Sequence, residues 1–587
     1  MTGLEIAGIP LAVGGLLLSV KGAVDGFNMI ADVCAKDNGL RFASTQYYVE
    51  KVKLGVWARR FKVHVDDDDD EDDDKDSHDY DDLEREGATD SPLLQQPQVS
   101  RDAVWRIIAE INATHELAIK YISKFHVEPV ALPDAADAGP QTFHRKSKWV
   151  TMLGEARARV PQRNRIRWVA RHREQFTGLI ARLSTLNQDL WDVVTREEVD
   201  SLSIVTGVLS GLGDQLSLAS LQNAPGTDPA SLLAFAARLK QLQGETVQQL
   251  AARVKRIDAS ELSFLNAASN DTTSRFRGTY TSREPKSLPE PVWIEWKAIE
   301  NIGGLTSEII LRVDALGALL STDNAAAFHR PACVGVFDDV KYMERNSGNR
   351  RLGLVYRSGS AASGLPVPLW DLLRAAGKAR TRPPLGARFE LAYKLASAVS
   401  LFHATNWIHK SLRSDNILFT PTNADASANA NANANADEGV DITAPQIAGF
   451  QYSRPAADAS LEGRPTGAPE LDVYYHPEVL SGGWTKAKEL YSLGVVLLEI
   501  AHWRPVFEER YRRMTMREVS AAMLGDVQGR FGDDLAGVGG RAFVDVIKCC
   551  LTGSFGVPGG LSAADESKAL SDAFFQKVVR PLATLKA

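Results

Sequence analysis

The chain has 587 residues, 44% hydrophobic and 24% charged, which is globular make-up and excludes collagen-like and wholly disordered classes. Four cysteines, Cys34, Cys333, Cys549 and Cys550, are too few and too scattered for a disulfide framework, so a reducing, cytoplasmic compartment is expected. The net charge of −7 conceals an acidic tract at 66–86, with fifteen Asp or Glu against Lys75 and Arg85, and a basic tract at 145–173, with ten Lys or Arg against Glu155.

Residues 6–20 open the chain with a fifteen-residue uncharged run, I-A-G-I-P-L-A-V-G-G-L-L-L-S-V, rich in glycine and carrying Ile6, Leu11, Val13, Leu16, Leu17 and Leu18. A membrane span needs roughly 20 apolar residues, and no basic region precedes this run as in a secretory signal. The run is therefore either a helix buried in a bundle or one that enters a bilayer after a rearrangement. Helical spacing follows from 27 to 62, through Phe42, Tyr47, Val52, Leu54 and Trp57. The acidic tract repels itself and buries no apolar area, so 64–100 is predicted to be a disordered insertion between helices.

Helical periodicity returns at 102–125, fails across 127–140, and resumes at 149–194, where Leu179, Ile180, Leu183, Leu186, Leu190 and Val193 make an apolar stripe. The basic tract at the start of that stretch is either a solvated helix face or a surface for anionic lipid or for the acidic tract. It comes with no RRM, zinc-finger or homeodomain signature, so no nucleic-acid partner is expected. Helices at 201–221 and 229–259 complete a reading of 1–225 as an all-helical bundle and 226–270 as a helical linker or brace.

The opening run with K-G-A-V-D-G-F, the following R-F-A-S-T-Q-Y-Y-V-E-K-V-K-L-G-V-W, and the later R-I-R-W-V-A-R-H-R-E-Q-F-T-G-L-I-A-R-L-S-T-L-N-Q-D-L resemble the HeLo domain of fungal incompatibility and cell-death proteins. That resemblance implies an effector domain whose N-terminal helix acts at a membrane. It also implies recruitment to the plasma membrane and self-association on activation by an upstream signalling protein.

The segment I-H-K-S-L-R-S-D-N-I-L-F at His409 has the length and flanks of the protein-kinase catalytic loop H-R-D-L-x-x-x-N, and the helical 388–402 leads into it. Y-Y-H-P-E and K-E-L-Y-S-L-G-V-V-L-L-E-I resemble the end of an activation segment and the helix after it, with Glu478 and Gly494 kept and Glu489 in place of Asp. The resemblance implies a two-lobed, protein-kinase-like α+β domain over 271–587, with an N-lobe at 271–358, a C-lobe at 359–587 and a low-complexity insertion at 421–441. The whole chain is thus expected to be multidomain, all-α followed by α+β. The architecture is similar to that of the mixed-lineage-kinase-like executioners of necroptosis, which also join a helical bundle to a pseudokinase.

Mapped on the family, Ser411 takes the place of the Asp that accepts the substrate proton, and Lys410 that of the Arg beside it. Gly449 replaces the metal-binding Asp of D-F-G, Phe450 keeps the Phe, and Asn416 remains as a possible metal ligand. In V-W-I-E-W-K, Lys297 is the candidate ATP lysine, either in that role or as a strand lysine, with Glu308 as its ion-pair partner. Gly278 stands alone where kinases have a glycine-rich loop. These substitutions lead to an expectation of a pseudokinase, with ATP absent or bound with little or no magnesium. An atypical active Ser/Thr kinase and a non-enzymatic signalling scaffold are the alternatives.

Overall fold

The computed structural model describes residues 20, 22–24, 26–27, 30, 41–62, 92–96, 98–125, 162–193, 198–221, 228–264, 275–284, 287–301, 304–322, 326–358, 365–379, 382–421, 440–450, 453–455, 468–479 and 483–585. Ile6, Leu11, Val13, Leu16, Leu17 and Leu18, the acidic tract and the low-complexity repeat lie outside them, as does the basic tract up to residue 161. Two compact units divide the chain, Met1–Ile204 and Val205–Ala587, ahead of the boundary at 225 read from the sequence.

Helices build the first unit: α1 (Arg41–Arg60), α2 (Gln98–Phe125), α3 (Gln162–Val193) and α4 (Glu198–Gly211), within which the division between units falls. Each of the first three buries one stripe. On α1 it runs Ala43, Tyr47, Glu50, Leu54, Trp57 and on to Phe61; on α3 it runs Phe176, Ile180, Leu183, Asn187 and Leu190. The Glu50 rung of α1 meets the Asn187 rung of α3. Asn187 Nδ2 donates to the Glu50 carboxylate at 2.8 Å and to its backbone oxygen at 2.9 Å, and Lys53 Nζ reaches the same carboxylate at 2.8 Å. The polar rung of α2 is His115, packed edge-on to Phe27 with ring centroids 4.2 Å apart. Burial pushes its pKa down to about 3, so the ring is a neutral packing group.

The second unit is α+β. Helices α5 (Gln215–Leu221), α6 (Asp228–Leu242) and α7 (Val247–Ala251) precede a six-stranded sheet with the order β1-β5-β6-β4-β3-β2. Its strands are β1 (Arg256–Ile257), β2 (Leu262–Phe264), β3 (Phe276–Tyr280), β4 (Glu290–Ile299), β5 (Cys333–Asp338) and β6 (Arg350–Arg357). All neighbours are antiparallel except β1, which adds in parallel to the edge of β5. The stretch 226–270 is therefore not all helical. Its end is drawn into the sheet because backbone groups at the edges of β5 and β3 need partners.

One face of β4, carrying Val292, Ile294 and Trp296, joins Phe276, Phe337 and Val355 in the sheet core. The connection from β4 to β5 is α8 (Gly304–Leu320). Beyond β6 come α9 (Leu369–Ala379) and α10 (Leu385–Ala404), followed by β8 (Trp407–Ile408) and a small sheet of β7 (Val367–Pro368), β9 (Ile417–Phe419) and β10 (Gln446–Ile447). A bridge between Pro421 and Val440 closes the hairpin from β9 to β10 below the low-complexity insertion. The lobe is built around α11 (Lys486–His502), buried along nearly its whole length. A sheet-rich part followed by a helical part makes the second unit α+β, as the sequence implies. Among the described residues no helix is long and apolar enough to cross a membrane.

Candidate functional site

The loop from β8 to β9, His409 to Asn416, is fixed from behind by α11. The buried Glu489 carboxylate accepts the Lys410 backbone N–H at 2.6 Å and meets His403 Nε2 at 2.8 Å. Lys410 has φ of +66°, so this bond holds a left-handed turn that a lysine adopts only at a cost. His409 packs edge-on to Phe450 at 4.6 Å, and Phe450 also meets Phe402 and Trp407 at 5.8 Å each. Burial pushes the His409 pKa down to about 4, leaving a neutral ring that packs rather than titrates near neutral pH.

Ser411 is buried at the centre of the loop, and Asn416 Nδ2 donates to its carbonyl at 2.8 Å and to its Oγ at 3.0 Å. Asp415, next in line as a base, is clasped by the Arg413 fork at 3.0 and 3.1 Å. Ser414 Oγ lies 2.6 Å from the Tyr474 hydroxyl, which lies 2.9 and 3.0 Å from the Glu499 carboxylate oxygens. Glu499 also accepts the Val506 N–H at 3.0 Å. Burial is the main reason that its pKa is pushed up to about 7.

Facing this loop is the other side of β4, which carries Trp293, Glu295 and Lys297 by strand alternation. Trp293 stacks on Tyr356 with ring centroids 4.5 Å apart, and both are buried. Glu295 Oε2 accepts the Gly449 backbone N–H at 2.9 Å, which joins β4 to the segment read from the sequence as the D-F-G position.

Arg275, just ahead of β3, supplies the cation. Its Nη2 donates to Glu295 Oε1 at 3.0 Å and to Asn416 Oδ1 at 2.9 Å, and its Nη1 donates to the Asp415 carbonyl at 3.0 Å. Nothing in the sequence singled this residue out, because its partners lie 20, 140 and 141 positions away. The expected metal ligand Asn416 therefore has its oxygen engaged by a guanidinium. Among the described residues no cluster of three or more His, Cys, Asp or Glu side chains is placed to hold a metal ion.

Lys297 is buried on β4, whereas Glu308 on α8 is half-exposed and pairs with Arg312 one turn on at 2.9 Å. The expected Lys297–Glu308 pair gives way to this one because Glu308 is on the solvent side of its helix. Gly278 lies within β3, paired with Val292 and Phe264, not in a phosphate-binding loop. A Cβ there would sit 2.9 Å from the Ser263 carbonyl, so the glycine serves strand approach.

Residues 8–221 match the HeLo family, described as prion-inhibition and propagation, and residues 355–586 match a domain of unknown function (DUF7580). A serine/threonine-protein kinase ATG1 from Beauveria bassiana is 29% identical over 138 residues, and one from Gibberella zeae is 28% identical over the same length. Each match covers 22% of this chain and only 14% of the curated relative. The HeLo match indicates a fungal, incompatibility-related role for the N-terminal part, while the likeness to kinases is weak and partial.

Around Arg275 the structure gathers Glu295, Asn416, the Asp415 carbonyl and, through Glu295, the Gly449 N–H. What this arrangement does well is hold a guanidinium.

Proposed function

We propose that this chain is a HeLo-type effector of fungal incompatibility or programmed cell death, restrained by a pseudokinase domain that no longer transfers phosphate. The observation that carries this reading is Arg275, bonded to Glu295 and Asn416 where a kinase brings together nucleotide phosphates and magnesium. A triphosphate entering there would meet the Glu295 carboxylate and would have to displace Arg275. Losing the proton acceptor and the metal carboxylate together removes several kcal/mol of transition-state stabilisation. The uncharged 6–20 and the basic 145–173 support membrane-directed action, since each Lys or Arg near an anionic surface contributes about 1 kcal/mol.

Thermal unfolding of the full chain with ATP, with and without magnesium, tests the first half. No rise in midpoint is expected, whereas a ligand present at about 100 times its Kd adds about 2.7 kcal/mol. A magnesium-dependent rise would overturn the pseudokinase reading. Leakage of anionic vesicles by residues 1–225, lost on deleting 1–20, is expected for the second half. Failure of leakage would remove the membrane step.

A further inference from the structure

We propose that the acceptors around Arg275 form a guanidinium-binding site and that Arg275 is its tethered occupant, a latch that joins β4 to the loop between β8 and β9. The inference rests on the reading above that the cleft does not take a nucleotide. The groups converging on the guanidinium are all acceptors: Glu295 Oε1 at 3.0 Å, Asn416 Oδ1 at 2.9 Å and the Asp415 carbonyl at 3.0 Å. The amide of Asn416 presents its oxygen because its nitrogen is committed to the Ser411 carbonyl and hydroxyl. The indole of Trp293 lies 5.9 Å from the guanidinium carbon, within cation–π range. Such a site repels phosphate and suits a planar fork with several donors, which an ammonium does not replace.

The latch spans the two lobes. Arg275 and Glu295 belong to the sheet lobe, while Asp415 and Asn416 belong to the loop between β8 and β9. Glu295 uses its second oxygen on the Gly449 N–H at 2.9 Å, so one carboxylate bonds both the guanidinium and the D-F-G position. The Arg275 side chain is only 16% exposed, which keeps these charge-assisted bonds out of bulk water. Withdrawal of Arg275 would leave the buried Glu295 carboxylate without its cation, so the site would then favour a guanidinium supplied from outside.

Hydrogen exchange of the full chain, read at the Gly449 amide, tests this. Arg275→Ala is expected to speed exchange there by about tenfold or more, as loss of a charge-assisted hydrogen bond implies. Millimolar guanidinium chloride should restore protection where equal sodium chloride does not, and Arg275→Lys should fall between the two. Unchanged exchange in Arg275→Ala, or rescue by either salt alike, would overturn the latch. If the alanine variant does not fold, Arg275→Met, which keeps the aliphatic stem, carries the same expectation. Protection of wild type by ATP would instead strike the nucleotide reading, and so the two failures are distinguishable.

Discussion

Gly449 sits where a side chain of any kind would be costly. Its φ of +85° is one that a side-chain-bearing residue adopts at a cost of roughly 1–2 kcal/mol. A Cβ there would also stand 2.3 Å from Asn416 Nδ2. Gly449→Asp should therefore destabilise the second unit, by more than about 2 kcal/mol in chemical denaturation. Ser411→Asp combined with Gly449→Asp should give no phosphoryl transfer from ATP, and measurable transfer would show that the loop can reorganise. Glu499 gives a pH signature with a definite sign. Its folded pKa of about 7 lies above the ordinary 4.5, so the folded state binds the extra proton between those values and stability falls as pH rises through that window. The full effect is on the order of 3 kcal/mol. Glu499→Gln should flatten the slope between pH 4.5 and 7, and an unaltered slope would reassign the titration. At this scale the sequence makes Ser411 and Gly449 stand out against the kinase motif, since a motif position is either filled or not. It does not show the Arg275–Glu295 pair, because strand alternation puts Glu295 and Lys297 on one face and only the contact to Gly449 separates them.

Among elements, the helices of the first unit were legible because stripes of period 3.6 need only local spacing. The stripe Leu183, Leu186, Leu190 on α3 is buried as its spacing implies. Strands β1 and β2 were not legible, since two or three residues carry no period and acquire their identity from β5 and β3. What spacing alone also misses is the pairing of polar rungs. Glu50 and Asn187 each interrupt an apolar stripe, yet they face one another, and the Asn187 amide nitrogen donates to the Glu50 carboxylate. Asn187→Leu should cost about 1–2 kcal/mol by removing one of the two donors to the Glu50 carboxylate, with Lys53 left on the other oxygen. The double variant Glu50→Leu with Asn187→Leu should recover most of that loss, as apolar groups replace both partners. Additive losses in the cycle, measured by denaturant unfolding, would mean that the rungs are independent.

For the whole molecule, the question is whether the second unit's cleft controls what the first unit does. A restraint is a coupling free energy, so it must be visible as a change in the effector's output when the latch alone is altered. If Arg275 contributes about 1.4 kcal/mol to the closed arrangement, removing it multiplies the open population about tenfold, provided that open molecules are the minority. Full-length protein carrying Arg275→Ala should then release dye from anionic vesicles faster than wild type. Deleting residues 1–20 in the same variant should abolish that gain, because the uncharged N-terminal run is the part assigned to the membrane. Guanidinium at millimolar concentration should slow the variant and leave wild type unaffected. Equal leakage by wild type and Arg275→Ala, with the exchange experiment showing the latch open, would separate the two domains functionally. The kinase-like unit would then be a binding scaffold that carries no restraint.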